Sequence, residues 1–380
     1  MKIRFSRKDC IFCAVMAVIC PGLFFIPAPD KLAMPGGETV PARVLKTDDS
    51  GLLRHGLVLA GSQVLQVQIL SGKYKGETFQ AANELRGQLE LDKQFQPGDR
   101  ITVALPQGAQ PRQTVLTAKD HDRTLWTAAL FGGFCLLLLF FGGWTGAKAL
   151  FSFVFSCLVI FKALIPLTLS GVPASLVIAG CVILLTAVIL FLVAGLTRKG
   201  MAAFTGAVAG VLAGLIMAHL AGVLLKINGA TMPYVQTLLY SGYHDLNIPD
   251  IFVGAVILAS SGAVMDLAMD IASAAEELNF HNPRLSMKEL TCSCLRIGRS
   301  VVGTMTTTLL LAYSGGYLTL LMMFSVQGTH ITDILNNPLV AAETVKTLIG
   351  SFSLVLVAPL TAVTSGWIFT KFQKRMNYEQ

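Results

Sequence analysis

The chain has 380 residues, 53% of them hydrophobic and only 13% charged, where a soluble domain carries about 25% charged residues; this balance marks an integral membrane protein. The net charge of +7 comes from basic residues spread through loops and tails, with no basic helix and no aromatic-basic interleaving, so nucleic acid is not an expected partner. None of the eight cysteines falls between Ala28 and Arg123, which argues against a disulfide-stapled domain there, and Cys292 with Cys294 has no second pair nearby to complete a metal site, so no metal and no cofactor is expected.

Residues 1–27 open with the basic tail MKIRFSRKD and continue as the apolar run CIFCAVMAVICPGLFFIP. The following IPAPDKLAMP lacks a small-x-small cleavage site, and Ile19 before Cys20 fits lipoprotein processing poorly, so this segment reads as an uncleaved membrane anchor rather than a signal peptide. From 28 to 123 the composition changes to that of a small soluble domain. VLQVQIL from Val64 alternates with a period of two, and ETFQAANEL, RITVALP and QTVLTAK read as further strands between the turns SGKYKG and QPGDR. The expectation is a small β-barrel of the OB or SH3-like kind. OB folds bind oligonucleotides and sugars, but Tyr74, Phe79 and Phe95 are too few aromatics for a stacking platform, so the domain reads as a docking module at the membrane surface.

Residues 124–380 read as a seven-helix membrane domain, with apolar segments at about 125–141, 147–169, 174–196, 201–225, 251–275, 300–326 and 347–369. With the anchor this gives a mostly α, polytopic protein of about eight spans. Lys148, Arg198, Lys199, Arg284, Lys288, Lys371, Lys374 and Arg375 fall on one side with the basic N-terminal tail, and the opposite short loops hold little beyond Lys226 and Lys346. By the positive-inside rule both termini are cytoplasmic and the β-domain is extracytoplasmic. Gly206, Gly210 and Gly214 recur every fourth residue and let a neighbouring backbone approach closely, within the chain or across a dimer. Lys162 near Pro166 reads as a snorkelling cation and His219 as a packing histidine. Pro359 is expected to kink the last helix, with Thr361 and Thr364 satisfying the carbonyls it frees. The loop from Lys226 to Asp250 reads as a surface segment or lid, and Asp333 and Glu343 in the next outer loop have no evident counter-charge.

The stretch from Asp250 to Gly316 carries the functional signal. Asp266 and Asp270 stand four residues apart within an apolar helix, on a face continued by Ala259, Gly262 and Ser273, where two ionised carboxylates repel unless one is protonated or a cation lies between them. Ser286 and Glu289 make a capping-box pattern that starts the next helix. Arg296, Arg299, Gly303, Thr306, Leu310 and Tyr313 then follow at helical spacing, so that Arg299 meets Asp270 at equal depth in an antiparallel pair. Such a pair either fixes how two helices register or belongs to an ion or proton site, the default reading of intramembrane charge.

SGAVMDLAMDIASAAEEL, the Gly-Arg pair in LRIGRSVVGTM, TLLLAYSGG and GSFSLVLVAPLTA together resemble the YibE/F family of bacterial multi-helix membrane proteins. The resemblance runs from about Thr124 to the end, with a preceding extracytoplasmic domain. It implies a multi-pass protein of the bacterial plasma membrane and no particular activity. Motifs for other chemistry are missing: there is no GxxxxGK[ST] for nucleotide phosphate and no HExxH, Ser260 and Ser261 have no placed histidine base, and two aspartates on one helix do not face each other as an aspartyl protease requires. The expected function is movement of a small solute or ion through a site of Asp266, Asp270, Arg296, Arg299 and Thr306, with no enzymatic step. The alternative is a non-transporting envelope scaffold whose β-domain docks an extracytoplasmic protein or envelope polymer. The lipid bilayer is a partner in either case.

Overall fold

Leu65, Val67 and Ile69 alternate with polar neighbours, and in the computed structural model their side chains all turn into one core while Gln66 faces out. The structure describes residues 38–89, 91–105 and 114–378, with side chains to 371. The expected anchor over 1–27 lies outside these residues. The described chain divides into two compact units, parted between Phe140 and Phe141, each taken by itself below.

In the first unit, strands β1 (Thr39–Asp48), β2 (Leu52–His55), β3 (Val58–Ile69), β4 (Thr78–Arg86), β5 (Arg100–Ala104) and β6 (Leu116–His121) run in the order β1-β5-β6-β4-β3-β2. A further antiparallel pairing of β1 with β3 closes five of them into a barrel, leaving β2 as a hairpin extension of β3. All pairs are antiparallel except β4 with β6, which touch in parallel only at Ala81–Leu116 and Ala82–Thr117. Ala42, Leu65, Val67, Ile101 and Val103 fill the interior with Phe95. Two buried amides pin the segment between β4 and β5 over this core. Gln63 donates to the Phe95 carbonyl at 2.8 Å and accepts from the Phe95 amide at 3.1 Å, and Asn83 donates to the Lys93 carbonyl at 2.6 Å. Phe95 and Phe79 are therefore core residues, 1% and 6% exposed, rather than surface aromatics.

The helical part is α1 (Thr124–Leu169), α2 (Ala174–Ala194), α3 (Arg198–Leu224), α4 (Val235–Tyr240), α5 (Ile248–His281), α6 (Met287–Gly316), α7 (Leu318–Gln327), α8 (Ile331–Asn336) and α9 (Pro338–Tyr378). Five of these, α1, α2, α3, α5 and α9, are long and apolar enough to cross a membrane, and α6 with α7 makes a sixth if that pair, bent by 68°, is one span. By length and composition the described residues thus hold five or six such helices, where the sequence predicts seven segments after residue 124. The stretches at 125–141 and 147–169 form one 46-residue helical run. Gly143, at φ 51° and ψ −126°, is not helical and separates two helices that follow one another within that run. The segment expected at 300–326 breaks at Tyr317, between α6 and α7.

Helices α3, α5 and α9 pack mutually, α2 lies on α5 and α3, and α6 lies chiefly on α9 and less on α5. Lys199 at the start of α3 pairs with Glu276 near the end of α5 at 3.0 Å, marking one end of the bundle. The opposite loop is not wholly irregular, since α4 forms within it. Glu343, expected to lack a counter-charge, is paired with Lys346 at 2.6 Å one turn on.

Candidate functional site

Asn247 caps α5 by accepting from the Asp250 amide at 3.2 Å, and Asp250 accepts from the Ser175 amide at 3.0 Å at the start of α2. From that anchored end, Phe252, Ile257, Val264, Leu267, Ala268 and Ile271 turn into the bundle. The other face carries Ala259, Gly262, Asp266 and Asp270, all exposed, and ends at the half-buried Ser273. At 1.5 Å per residue Asp270 stands about 9 Å and Asp266 about 15 Å along the helix from Glu276 of the Lys199 ion pair. An ionised carboxylate at the centre of a spanning helix costs about 2.5–3.5 kcal/mol on insertion scales.

Helix α6 starts at a complete capping box: Ser286 Oγ accepts from the Glu289 amide at 3.3 Å and Glu289 Oε2 accepts from the Ser286 amide at 2.9 Å. Its inward stripe is Leu290, Cys294 and Gly298, where a Cβ on Gly298 would come within 3.2 Å of Ile271 Cδ1 and 3.5 Å of Ala358 Cβ. Arg299, one residue on, is rotated by about 100° from that stripe, and both Arg299 and Arg296 are exposed. The Gly298–Ile271 contact sets Arg299 about level with Asp270 in the antiparallel pair. Rotation separates them. Among the described residues no ion pair within 4.0 Å joins Arg296 or Arg299 to Asp266 or Asp270. The expected pair within one chain is thus corrected to equal depth without contact.

Thr306 is half-buried and donates to the Val302 carbonyl at 2.8 Å. The exposed hydroxyls of α6 are instead Ser300, Thr304, Thr307 and Thr308. Each spends its proton on a carbonyl of its own helix, leaving oxygen lone pairs as acceptors beside the two arginines. The spacing of Leu290, Cys294 and Gly298 marks a second stripe on α6 in the sequence, without saying which of the two turns inward.

The glycine stripe of α3 faces α9 in antiparallel register: Gly206 meets Thr361, Gly210 meets Val357 and Gly214 meets Ser353. The neighbour is in the same chain. A Cβ on Gly210 would lie 2.8 Å from Val357 Cβ. Helix α9 continues through Pro359, and Thr361 does not satisfy a freed carbonyl; its hydroxyl, like those of Thr291 and Ser365, is buried without a hydrogen-bond partner. Thr364 donates to the Thr361 carbonyl at 3.1 Å. Lys162 lies in a π-helical turn, Ile160–Leu164, within α1. His219 is exposed and lines, with Lys226, Asn247 and Asp250, a cavity of about 250 Å³ at the capped end of α5. Among the described residues no three His, Cys, Asp or Glu side chains gather as a metal centre would require. In the barrel, Glu84, Arg86, Gln88, Asp92 and Thr117 line an open cleft of about 330 Å³ where the β4–β6 pairing ends.

Apolar helices of membrane-crossing length that expose acidic and basic side chains well along their course, following an N-terminal barrel, define a membrane-like helical protein with a separate β-module. Residues 130–371 match the family model of the YibE/F-like protein and residues 60–119 that of the YibE/F family N-terminal domain. The chain belongs to the YibE/F family. Neither a curated protein nor a solved structure matches it.

Proposed function

We propose that this protein moves a small solute or ion across the bacterial plasma membrane, with Asp266 and Asp270 as the exchanging carboxylates and the arginine and hydroxyl face of α6 beside them. The observation that carries the reading is the exposed pair of carboxylates on α5, level with Arg299 and Gly303 and free of any ion pair among the described residues. Ionisable groups at such a depth are costly unless water, a cation or a counter-charge reaches them. Flux of protons or monovalent cations into vesicles containing the purified protein is the test: Asp266→Asn abolishes it, and unaltered flux would refute the site. The basic ends of α3, α6 and α9 support an orientation with cytoplasmic termini, and the barrel is external with the two helices that meet at Gly143 each crossing the membrane.

A second reading is favoured by the barrel cleft. Five strands closed in Greek-key fashion with one parallel contact support an OB assignment. The mixed charges of Glu84, Arg86 and Asp92 suit a polar protein segment or envelope polymer, while the burial of Phe79 and Phe95 leaves no aromatic platform for bases. In that reading the protein is a scaffold, and Asp266→Asn leaves its behaviour unchanged once it folds.

A further inference from the structure

We infer that a second copy of this chain covers the exposed polar faces of α5 and α6, so that Asp266 and Asp270 of one copy are paired by Arg296 and Arg299 of the other. The inference deepens the transport reading by completing its site, and rests on it only for the placement of these helices in a membrane.

Three observations lead there. First, α5 exposes an acidic face and its neighbour α6 exposes a basic one, and the chain supplies neither with a counter-charge within ion-pair distance among the described residues. Lipid tails offer these groups nothing. Second, the faces match in depth. Gly298 against Ile271 puts Arg299 level with Asp270 and Gly303 level with Asp266. A two-fold axis along the membrane normal leaves every residue at its own depth, so equal depth within one chain becomes equal depth between two. The arginines of one copy thereby stand opposite the aspartates of the other, and the face is self-complementary as such a symmetric interface requires. Third, both faces are shaped for close approach. Gly262 on α5 and Gly303 on α6 each have open space, with nothing within 4 Å of where a Cβ would be, while the tightly opposed glycines of α3 are already covered by α9. Small residues on an uncovered face of a membrane helix are what lets a second backbone come near, and the Thr304 and Thr307 hydroxyls offer acceptors to the incoming arginines.

The test counts copies of the full-length protein, labelled at its C-terminus and diluted into lipid vesicles, by stepwise photobleaching. Wild type is expected to bleach in two steps. Asp270→Arg and Arg299→Asp, each prepared alone, set like charges against each other at both symmetric contacts and shift the population to single steps. Mixing the two variants places opposite charges at both contacts again and restores two-step particles containing one copy of each. Gly303→Trp is the control for folding, because its side chain enters open space in the single chain: it is expected to give single copies that still unfold in one cooperative thermal transition. Single copies of wild type overturn the inference, as does self-pairing of the charge variants or of Gly303→Trp at the wild-type level; a wild-type dimer contacting through another surface or through lipid would produce that last result. Two copies without flux leave the interface standing and remove the transport reading, whereas flux from single copies does the reverse.

Discussion

At Gly210 an added Cβ would come within 2.8 Å of Val357 Cβ and 3.3 Å of Val264 Cγ1, whereas at Gly303 it would meet nothing within 4 Å. Both glycines sit within long helices, and the difference lies in what faces them. Gly210→Leu is expected to lower the stability of the purified protein by about 1–3 kcal/mol through overpacking, and Gly303→Leu to leave it within about 0.5 kcal/mol, as read from thermal unfolding in one detergent. Equal losses would mean that the α3–α9 contact is not close. The four-residue spacing of Gly206, Gly210 and Gly214 was legible in the sequence as a close-approach face. Its partner was not, because Thr361, Val357 and Ser353 lie well over a hundred residues away, and nothing local in α3 says which helix returns against it. The same holds for Asp250, readable as a helix-start acid but not as the acceptor for α2.

Helix α6 carries two stripes at 3 and 4 spacing, one through Arg296, Arg299 and Gly303 and one through Leu290, Cys294 and Gly298. The capping box and the polar stripe were both legible. Which stripe turns inward was not, because a membrane helix is not driven by hydrophobic contrast to bury its apolar side; the small Cys294 and Gly298 win the inner position by allowing contact with Ile271 and Ala358. That choice sends the arginines outward. In the barrel, alternation gave β3 and β4 but missed β1 and β2, where polar Lys46 and Asp48 and the short Leu52–His55 strand blur the period. Asp92, at the end of the segment pinned by Gln63 and Asn83, accepts from the Arg86 and Gln88 amides at 2.8 and 2.7 Å, and the Arg86 amide foremost holds its carboxyl below the usual range. A carboxylate depressed in the folded state contributes stability above its unfolded value of about 3.9 and loses it as pH falls through its folded value. Amide-exchange protection around β4 is therefore expected to fall as the pH drops below about 4, and Asp92→Asn to flatten that acid limb. An unchanged limb in the variant would remove Asp92 as its cause.

Over the whole molecule, the division into a β-module and a helical membrane part could be read from composition alone, while the number of spans could not. Apolar length identifies segments, but it does not say whether the two helices that meet at the non-helical Gly143 cross separately or as one. The proposed orientation rests on the basic residues at the Lys199–Glu276 end of the bundle. A cysteine introduced at Gly72 is expected to react with an impermeant reagent added outside intact cells, and one at Tyr378 only after the membrane is opened; the opposite pattern would invert the molecule. The central claim is that the carboxylates on α5 are working groups rather than packing features. Proton- and cation-driven flux, measured side by side for wild type and Asp266→Asn in vesicles with matched protein content and matched unfolding temperatures, tests it most directly. The account predicts wild-type flux that falls at least tenfold in Asp266→Asn with unfolding unchanged, and equal flux in the two proteins would contradict it.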